Sequence, residues 1–243
     1  MTYCVGLRLK NGLVFMSDTR TNAGVDNVSV FRKMASWETP GERMITLLTA
    51  GNLATTQSVI SLLDERTKAP AERSPSILEV PTMFQVARLV GDSLKEVIQN
   101  NAETGQTADS SFNATIIVGG QIATSEPTLF MIYPEGNFIE SSDDTPFFQI
   151  GETKYGKPIL VRAYDPDMDF GDAVKLLMVS FDSTVKANLS VGLPLDLQIY
   201  SRDSLRIGYQ NRIDADDDYY QLISTGWGQA LKEAFQSLPD YSL

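Results

Sequence analysis

The 243-residue sequence contains no histidine and a single cysteine, Cys4. Without histidine, this chain cannot supply a Ser-His-Asp triad, a Cys-His dyad or a His-ligated zinc site. One cysteine excludes an intrachain disulfide, which agrees with a reducing compartment, and we expect a cytoplasmic location. A nucleophilic enzyme of this composition needs another base, such as a lysine or a terminal α-amine.

Long apolar runs and basic charge are also scarce. The N-terminal residues MTYCVGLRLKNG lack the apolar core of a signal peptide, and no apolar run approaches the roughly 20 residues that span a membrane. Lys and Arg number 20 against 31 Asp and Glu, a net charge of −11 that argues against binding to nucleic acid. The acidic run at residues 214–218 lacks the spacing of a calcium loop, so no metal site or cofactor is predicted and the run fits a helix N-terminus.

The remaining composition is that of a globular protein. Hydrophobic residues make up 42% of the sequence and charged residues 21%. A chain of this length can bury a large core, so we expect one domain over residues 1–243, from which Met1 is removed.

Alternating apolar and polar residues predict β-structure at the start of the chain. Two strands, 3–9 and 13–18, are joined by Asn11-Gly12, which is typical of the type I′ turn of a β-hairpin. Residues 21–27 are typical of a loop, and the Gly119-Gly120 pair is typical of a turn where a strand ends. Further strands are predicted over residues 28–37, 43–51, 112–120, 127–133 and 195–201.

Apolar residues at helical spacing predict the helices. The first begins near Leu53, and a loop over residues 68–81 separates it from a second helix capped by Thr82. Strands, two helices, strands and helices in that order indicate an α+β fold of packed layers. The predicted apolar face of the second helix consists of Phe84, Ala87, Val90, Leu94 and Val97. Three more helices are expected after Gly151, over residues 170–186 and over residues 217–236.

Thr2 is the candidate nucleophile. Once Met1 is removed, Thr2 carries a hydroxyl and a free α-amine. An α-amine has a pKa of about 7.7–8.0 in model peptides, so a large part of it is neutral near that pH and can accept the hydroxyl proton. Asp18 ends the second predicted strand, and Lys33 lies on the next one. An ammonium beside Thr2 would lower the pKa of both groups, and Asp18 would hold that ammonium in place. Taken singly, each charged residue fits a surface ion pair equally well.

The combination resembles a known family. Thr2, the Ser-Asp-Thr-Arg of residues 17–20, Lys33 before an apolar residue, and the Ala50-Gly51 junction between strand and helix lie in the register of proteasome-type β-subunits. Residues 1–27 are similar to Anbu, a bacterial family also called the ancestral β-subunits. The resemblance covers nearly the whole chain.

The resemblance implies both a fold and an assembly. The fold is a four-layer αββα sandwich with Thr2 as nucleophile, Asp18 and Lys33 as its charge partners, and Arg20 and Gly51 in support. The assembly is a homo-oligomer, either stacked rings or open helical turns. The sequence gives no evidence of an ATPase partner.

Three positions depart from the better-known proteasome subunits. A glycine whose backbone N–H faces the oxyanion aligns with Leu48, which we expect to donate the same bond while its side chain crowds the cleft. The serine of a Gly-Ser-Gly segment aligns with Glu152, which either raises the pKa of the terminal amine or forms an ion pair with Lys33. An aspartate near the amine aligns with Asn188, followed by Ser190.

These features favour an amide-bond hydrolase that acts on a peptide or a smaller amide. Thr2 attacks the carbonyl, its α-amine carries the proton, and water releases the acyl ester. A second hypothesis is a catalytically weak or inactive assembly scaffold on the proteasome fold. Leu48 and Glu152, which depart from the pattern of active subunits, keep this hypothesis open. A third is acyl transfer to an amine instead of to water.

Overall fold

The computed structural model describes residues 2–22, 28–103 and 112–242. Within these ranges, two five-stranded sheets stack face to face and helices cover the outer face of each. The strands are β1 (Tyr3–Leu9), β2 (Gly12–Asp18), β3 (Arg20–Asn22), β4 (Val28–Val30), β5 (Met34–Thr39), β6 (Arg43–Gly51), β7 (Ala114–Ile122), β8 (Thr128–Ile132), β9 (Phe138–Glu140), β10 (Phe147–Gly151), β11 (Leu195–Ser201) and β12 (Tyr209–Ile213). The helices are α1 (Leu53–Lys68), α2 (Pro70–Arg73), α3 (Met83–Glu103), α4 (Lys157–Ala163), α5 (Phe170–Ala187) and α6 (Asp218–Gln236).

Both sheets are antiparallel throughout. The first has the strand order β10-β1-β2-β11-β12, and the second has the order β5-β6-β7-β8-β9. A separate two-stranded ribbon joins β3 to β4. Because β1 lies between β10 and β2, Thr2 at its start is next to the ends of both neighbours, Gly151 and Asp18.

Three hydrophobic clusters separate the layers. One lies between the sheets and includes Phe15, Leu48 and Ile117. A second packs α1 and α3 against the second sheet, and a third packs α4, α5 and the first turn of α6 against the first sheet. Each large apolar side chain buried in this way contributes about 1.5–3 kcal/mol. The expected α+β fold, a four-layer αββα sandwich, is confirmed.

Side chains that cap the helices define where several of them begin. The hydroxyl of Thr82 accepts the N–H of Gln85 at 3.2 Å, so the predicted cap of α3 is confirmed. Asp217, within the acidic run, accepts the N–H of Tyr220 at 2.8 Å and caps α6. No helix within the described ranges combines the length and apolarity needed to cross a lipid bilayer.

The first hairpin does not contain the predicted type I′ turn at Asn11-Gly12. Leu9 pairs with Gly12, so the two turn residues are Lys10 and Asn11, and Asn11 does not have a positive φ. Gly12 has φ 149°, and a Cβ there would overlap the carbonyl oxygen of Tyr200 on β11. The glycine is required by close approach to a neighbouring strand that the local sequence does not reveal.

The single strand predicted over residues 28–37 is divided in two. β4 pairs with β3, β5 pairs with β6, and the chain changes partner over residues 31–33. The loop prediction for residues 21–27 is wrong at its start, because residues 21 and 22 belong to β3; residues 23–27 lie outside the described residues. Residues 31–33 contain no glycine or proline, so no turn signal in the sequence marks the break.

Other differences come from tertiary contacts. Gly119 and Gly120 lie inside β7 rather than in a turn. Glycine is needed at both positions because a Cβ on Gly119 would overlap Phe15 and a Cβ on Gly120 would overlap the Met44 carbonyl. Phe84 is exposed, whereas the rest of the predicted face of α3 is buried. The predicted loop over residues 68–81 contains α2, and the sequence missed the short strands β9, β10 and β12.

Gly120→Ala is expected to lower the free energy of unfolding by about 1–3 kcal/mol, since the added Cβ meets the backbone of β6. Gly228→Ala is the matched control. The Cβ position of Gly228 in α6 has no neighbour within 4 Å, so alanine should stabilise the helix by about 0.5–1 kcal/mol. Chemical denaturation measures both variants, and equal stabilities would contradict the close packing at Gly120.

Candidate active site

Thr2 lies at the first residue before β1 and is 7% exposed. Its carbonyl oxygen accepts the N–H of Glu152 at 2.7 Å, which continues the pairing of β1 with β10. Gly151 has φ 84°, and a Cβ there would overlap the Thr2 carbonyl. The backbone around Thr2 is therefore held closely by the end of β10.

A buried ion pair lies directly beside this strand start. Lys33 Nζ contacts Asp18 Oδ1 at 2.6 Å, and the two side chains are 4% and 0% exposed. Asp18 Oδ1 also accepts the N–H of Tyr3 at 2.9 Å, and Oδ2 accepts the N–H of Gly192 at 3.3 Å. Burial raises the pKa of Asp18, while Lys33 and the two N–H donors favour the ionised carboxylate. The structure thus brings together all three predicted catalytic residues, since Tyr3 is covalently joined to Thr2.

Lys33 lies in the break between β4 and β5, and its side chain is buried. Its carbonyl oxygen accepts the N–H of Thr49 on β6 at 2.9 Å, so its backbone is held at the edge of the second sheet. Its ammonium also donates to the carbonyl of Arg20 at 2.6 Å. Two acceptors on two different strands therefore fix the position of the positive charge.

Arg20 supports the same arrangement from the other side. One guanidinium nitrogen donates to the carbonyl of Leu189 at 2.9 Å, and the guanidinium packs so closely on Gly192 that a Cβ there would overlap it. Arg20 thereby ties β3 to the segment after α5, and that segment supplies the Gly192 N–H to Asp18. Gly192 is a position beside the ion pair that sequence reasoning missed, although it lies only two residues after the predicted Ser190.

Glu152 does not pair with Lys33. Its side chain is buried, and Oε2 accepts the side-chain amide of Asn188 at 3.0 Å. Asn188 in turn accepts the N–H of Ser190 at 2.9 Å through Oδ1. The alternative of an ion pair between Glu152 and Lys33 is therefore wrong. The Glu152 carboxylate is bonded to the Asn188 amide, and the Lys33 ammonium is paired with Asp18.

The expectation that the Leu48 backbone donates to an oxyanion is also wrong. Residues along a strand point their N–H groups to alternate sides, and Thr49 donates toward β5. The N–H of Leu48 therefore points toward β7, and its fully buried side chain packs between the sheets instead of crowding a cleft. Gly51 is two residues after Thr49, so its N–H points to the same side of β6, toward Lys33. Because β5 begins opposite Leu48, no residue of β5 lies opposite Gly51.

Gly51 is restricted to glycine by its surroundings. It is exposed at the end of β6 with φ 118°, and a Cβ would overlap the Asn113 carbonyl on the neighbouring chain segment. Helix α1 begins immediately afterward, where Asn52 accepts the N–H of Thr55 at 3.0 Å. The strand-to-helix junction therefore leaves a backbone amide at the open edge of the site.

Comparison with known proteins agrees with this architecture. The family described as Proteasome subunit matches residues 2–193. A search of curated protein sequences returns no match.

Among solved structures, an Anbu (Gly-1) mutant from Hyphomicrobium sp. strain MC1 is 48% identical over 100% of both chains, with a TM-score of 0.92. Anbu from Yersinia bercovieri is 46% identical over 100% of both chains, with a TM-score of 0.93. A helical assembly of the Anbu complex from Pseudomonas aeruginosa is 45% identical over 99% of this chain and 98% of that chain, with a TM-score of 0.92. With a family match over most of its length and full-length similarity to these structures, the chain belongs to the proteasome family and to its Anbu group.

Proposed function

We propose that the chain is an N-terminal threonine hydrolase that cleaves amide bonds in peptides or small amides. The observation that carries the proposal is the buried pair of Asp18 and Lys33, held by the N–H of Tyr3 beside Thr2. A buried ion pair costs several kcal/mol of desolvation, in order of magnitude, and contributes little net stability. Its position against the start of β1 is therefore better explained by chemistry at Thr2.

In the proposed reaction Met1 has been removed and the α-amine of Thr2 is free. The Thr2 hydroxyl oxygen forms a bond to the substrate carbonyl carbon and passes its proton to that amine. The C–N bond then breaks, and the ammonium returns the proton to the leaving amine. Water attacks the resulting ester with the amine again as base, which releases the carboxylic acid and restores Thr2.

Lys33 and Gly51 have different roles in this proposal. The ammonium of Lys33 lowers the pKa of the Thr2 hydroxyl and of the amine, so that more of the amine is neutral at neutral pH. The N–H of Gly51 is the oxyanion donor in place of the predicted Leu48, because it points to the side of Lys33 and has no strand of the sheet opposite it.

We also propose that the chain self-associates through α6. Tyr220 and Ser224, near the helix start, contact Asp182 and Lys186 of α5. Beyond Ser224 the helix is mostly exposed, and an apolar stripe on it consists of Leu231 and Phe235, with exposed Leu238 just after the helix end. Exposed apolar residues at i and i+4 on a helix favour contact with another protein surface, and a homologous Anbu complex forms a helical assembly.

The hydrolase and scaffold hypotheses make different predictions for Thr2. If the proposed mechanism operates, intact-mass analysis will show loss of Met1 and a covalent adduct with a threonine-directed epoxyketone, which needs both the hydroxyl and the free amine. Thr2→Ala should form no adduct, whereas Thr2→Ser keeps both groups and should still react. Retention of Met1 in natively expressed protein, or an adduct on the Thr2→Ala protein, would rule the mechanism out and leave the scaffold.

The ion pair can be separated from folding by paired variants. Asp18→Asn leaves the Lys33 ammonium buried without its carboxylate and should lower the free energy of unfolding by about 3–5 kcal/mol. Asp18→Asn combined with Lys33→Met removes both charges and should recover most of that stability. The rate of adduct formation should stay reduced by about 100-fold or more in the double variant. A stable double variant that reacts at the original rate would contradict the role of the pair.

Self-association can be tested on α6 alone. Phe235→Glu places a charge in the apolar stripe and is expected to shift the particle mass toward the 26.8 kDa of one chain. Gln236→Glu adds the same charge to the next residue, off the stripe, and should leave the mass unchanged. Size-exclusion chromatography with light scattering measures both, and equal masses would remove the stripe from the proposed interface.

A further inference from the structure

The C-terminal part of the chain extends away from the rest of the domain. Every residue from 229 to 242 is exposed, which includes the last part of α6 and the segment that follows it. Two large apolar side chains in that segment, Leu238 and Tyr241, are 64% and 87% exposed. A short helix without tertiary contacts is only marginally stable in water, and exposed apolar side chains favour burial. We therefore expect this C-terminal arm, residues 229–242, to pack on another surface.

A groove of about 540 Å³ lies along β10, the outermost strand of the first sheet. Three layers of the fold line it: Phe147 and Gln149 from β10, Met131 and Ile139 from the second sheet, and Lys157 and Val161 from α4. The groove is therefore bounded by the edge of one sheet, by the inner face of the other sheet and by a helix.

The edge of β10 that borders the groove is free to pair with another strand. The N–H of Arg8 on β1 donates to the carbonyl of Pro146 at 2.9 Å. Backbone groups alternate along an antiparallel strand, so Phe148 also faces β1, whereas Phe147 and Gln149 direct their N–H and C=O groups away from it. Within the described ranges these outward groups have no hydrogen-bond partner. An unpaired edge of this kind can accept an additional strand.

The second sheet is uncovered at the same place. β10 packs mainly against β6, β7 and β8, whereas β9 makes its main contacts with β8 and α3. Phe138 on β9 packs on the α3 side, so its neighbour Ile139 faces the side of the first sheet. Ile139 is nevertheless 43% exposed, because no strand in the described part of the chain covers it. A sixth strand beside β10 would pair with the open edge and cover Ile139.

We propose that residues 238–242 of a second copy of this chain bind in the groove and form this sixth strand beside β10. Adding an extended segment to an open strand edge is a common mode of peptide recognition, which combines backbone hydrogen bonds with contacts to alternate side chains. The second copy supplies exposed apolar side chains, and the groove supplies an uncovered apolar face. The proposal rests on the self-association proposed for α6, which these residues follow directly, and it does not involve Thr2.

The order of residues in the segment fits the two walls of the groove. Side chains alternate along a strand, so Leu238 and Asp240 face one wall and Tyr241 faces the other. Tyr241 covers Ile139 on the wall formed by the second sheet, and Leu238 and Asp240 face α4. Pro239 has no N–H to donate, and a register in which Leu238 and Asp240 bond to β10 leaves its backbone on the open side.

The charges at the two ends of the groove set the direction of the bound segment. Lys157 lies at the end of β10, where its N–H donates to the carbonyl of Thr153, and Asp144 lies before the start of β10. Neither Lys157 nor Asp240 belongs to an ion pair in the residues that the structure describes. Asp240 is therefore placed beside Lys157 and away from Asp144, so that the segment runs in the same direction as β10.

Cross-linking tests where the segment binds. Cys4, the only native cysteine, is fully buried, so introduced cysteines are the reactive ones. Ser242→Cys and Thr153→Cys chains, coexpressed with different tags, should form a cross-linked dimer with a short bismaleimide, which joins two thiols without the strict geometry of a disulfide. Ser242→Cys with Asn211→Cys is the matched control. Asn211 is exposed on β12 at the opposite edge of the sheet, so this pair should give at least tenfold less dimer.

Charge reversal tests the pairing of Asp240 with Lys157. Asp240→Lys and Lys157→Glu should each lower the yield of the cross-linked dimer about threefold or more, because each places like charges together. A chain that carries both substitutions should recover the yield. Lys154→Glu, an exposed lysine outside the groove lining, is the control and should leave the yield unchanged. All four positions of charge are on the surface, so the melting temperatures should stay the same.

The possible outcomes separate this proposal from its alternatives. A dimer yield equal to that of the Asn211→Cys control, or a charge reversal that is not recovered in the combined variant, would overturn binding in the groove. A chain carrying both Ser242→Cys and Thr153→Cys that cross-links only within itself would assign the segment to its own groove and overturn the role of a second copy. Particles larger than one chain without any cross-link mean that α6 associates elsewhere, and only this proposal fails. If Phe235→Glu changes neither the particle mass nor the cross-link, the α6 stripe is excluded and this proposal stands.

Discussion

The ion pair between Asp18 and Lys33 is the interaction on which the edge of the fold around Thr2 depends. Both side chains are buried, so each charge must be satisfied by protein groups. The Asp18 carboxylate receives two backbone N–H groups in addition to Lys33, and the ammonium has a carbonyl as its second acceptor. These partners come from β1, from β3 and from the segment after α5. The pair therefore requires all three to be in place, and Arg20 strengthens the link between the last two.

Close backbone contacts make this arrangement possible. Gly151, Gly192 and Gly51 each occupy a position where a Cβ would overlap a neighbouring group. The first lets β10 approach Thr2, the second lets a backbone amide approach Asp18, and the third ends β6 against the residues before β7. Glycine at such positions costs conformational entropy, commonly about 0.5–1 kcal/mol relative to alanine in regular structure. The first contacts Thr2 and the second contacts Arg20 and Asp18, whereas the third lies two residues beyond Thr49, which bonds to Lys33.

The layers of the fold could be predicted from the sequence, whereas the register at the site could not. Periodicity in the sequence gives the first hairpin, α1, α3 and α5, because each buries a regular apolar face. Short strands such as β10 and β12 carry too few residues for a pattern to show. The partner change over residues 31–33 has no glycine or proline to mark it, so it is visible only in the pairing.

The contrast between Leu48 and Gly51 shows the same limit at the scale of one amide. An alignment places residues in order along β6, but the direction of each N–H depends on which neighbouring strand it faces. Thr49 donates to Lys33, and this one bond decides the directions of Leu48 and Gly51 together. The residues with charged side chains could be assigned from sequence because their chemistry is specific. The Gly192 donor, and the donor role proposed for Gly51, could not be assigned because any residue type has an N–H; the family resemblance named Gly51 only as a supporting residue.

Under the proposed mechanism, Glu152 adds a negative charge to the environment of the Thr2 amine. Asp18 and Lys33 form a pair whose charges largely cancel at a distance, whereas Glu152 adds a carboxylate whose partner, the amide of Asn188, is neutral. The backbone N–H of Glu152 is bonded to Thr2, so this carboxylate belongs to the residue that borders the nucleophile. A negative charge there raises the pKa of the amine, and the amine acts as a base only when it is neutral. Glu152 therefore shifts the proposed activity toward higher pH, in opposition to Lys33, and the balance between the two determines how much of the amine can accept a proton at neutral pH.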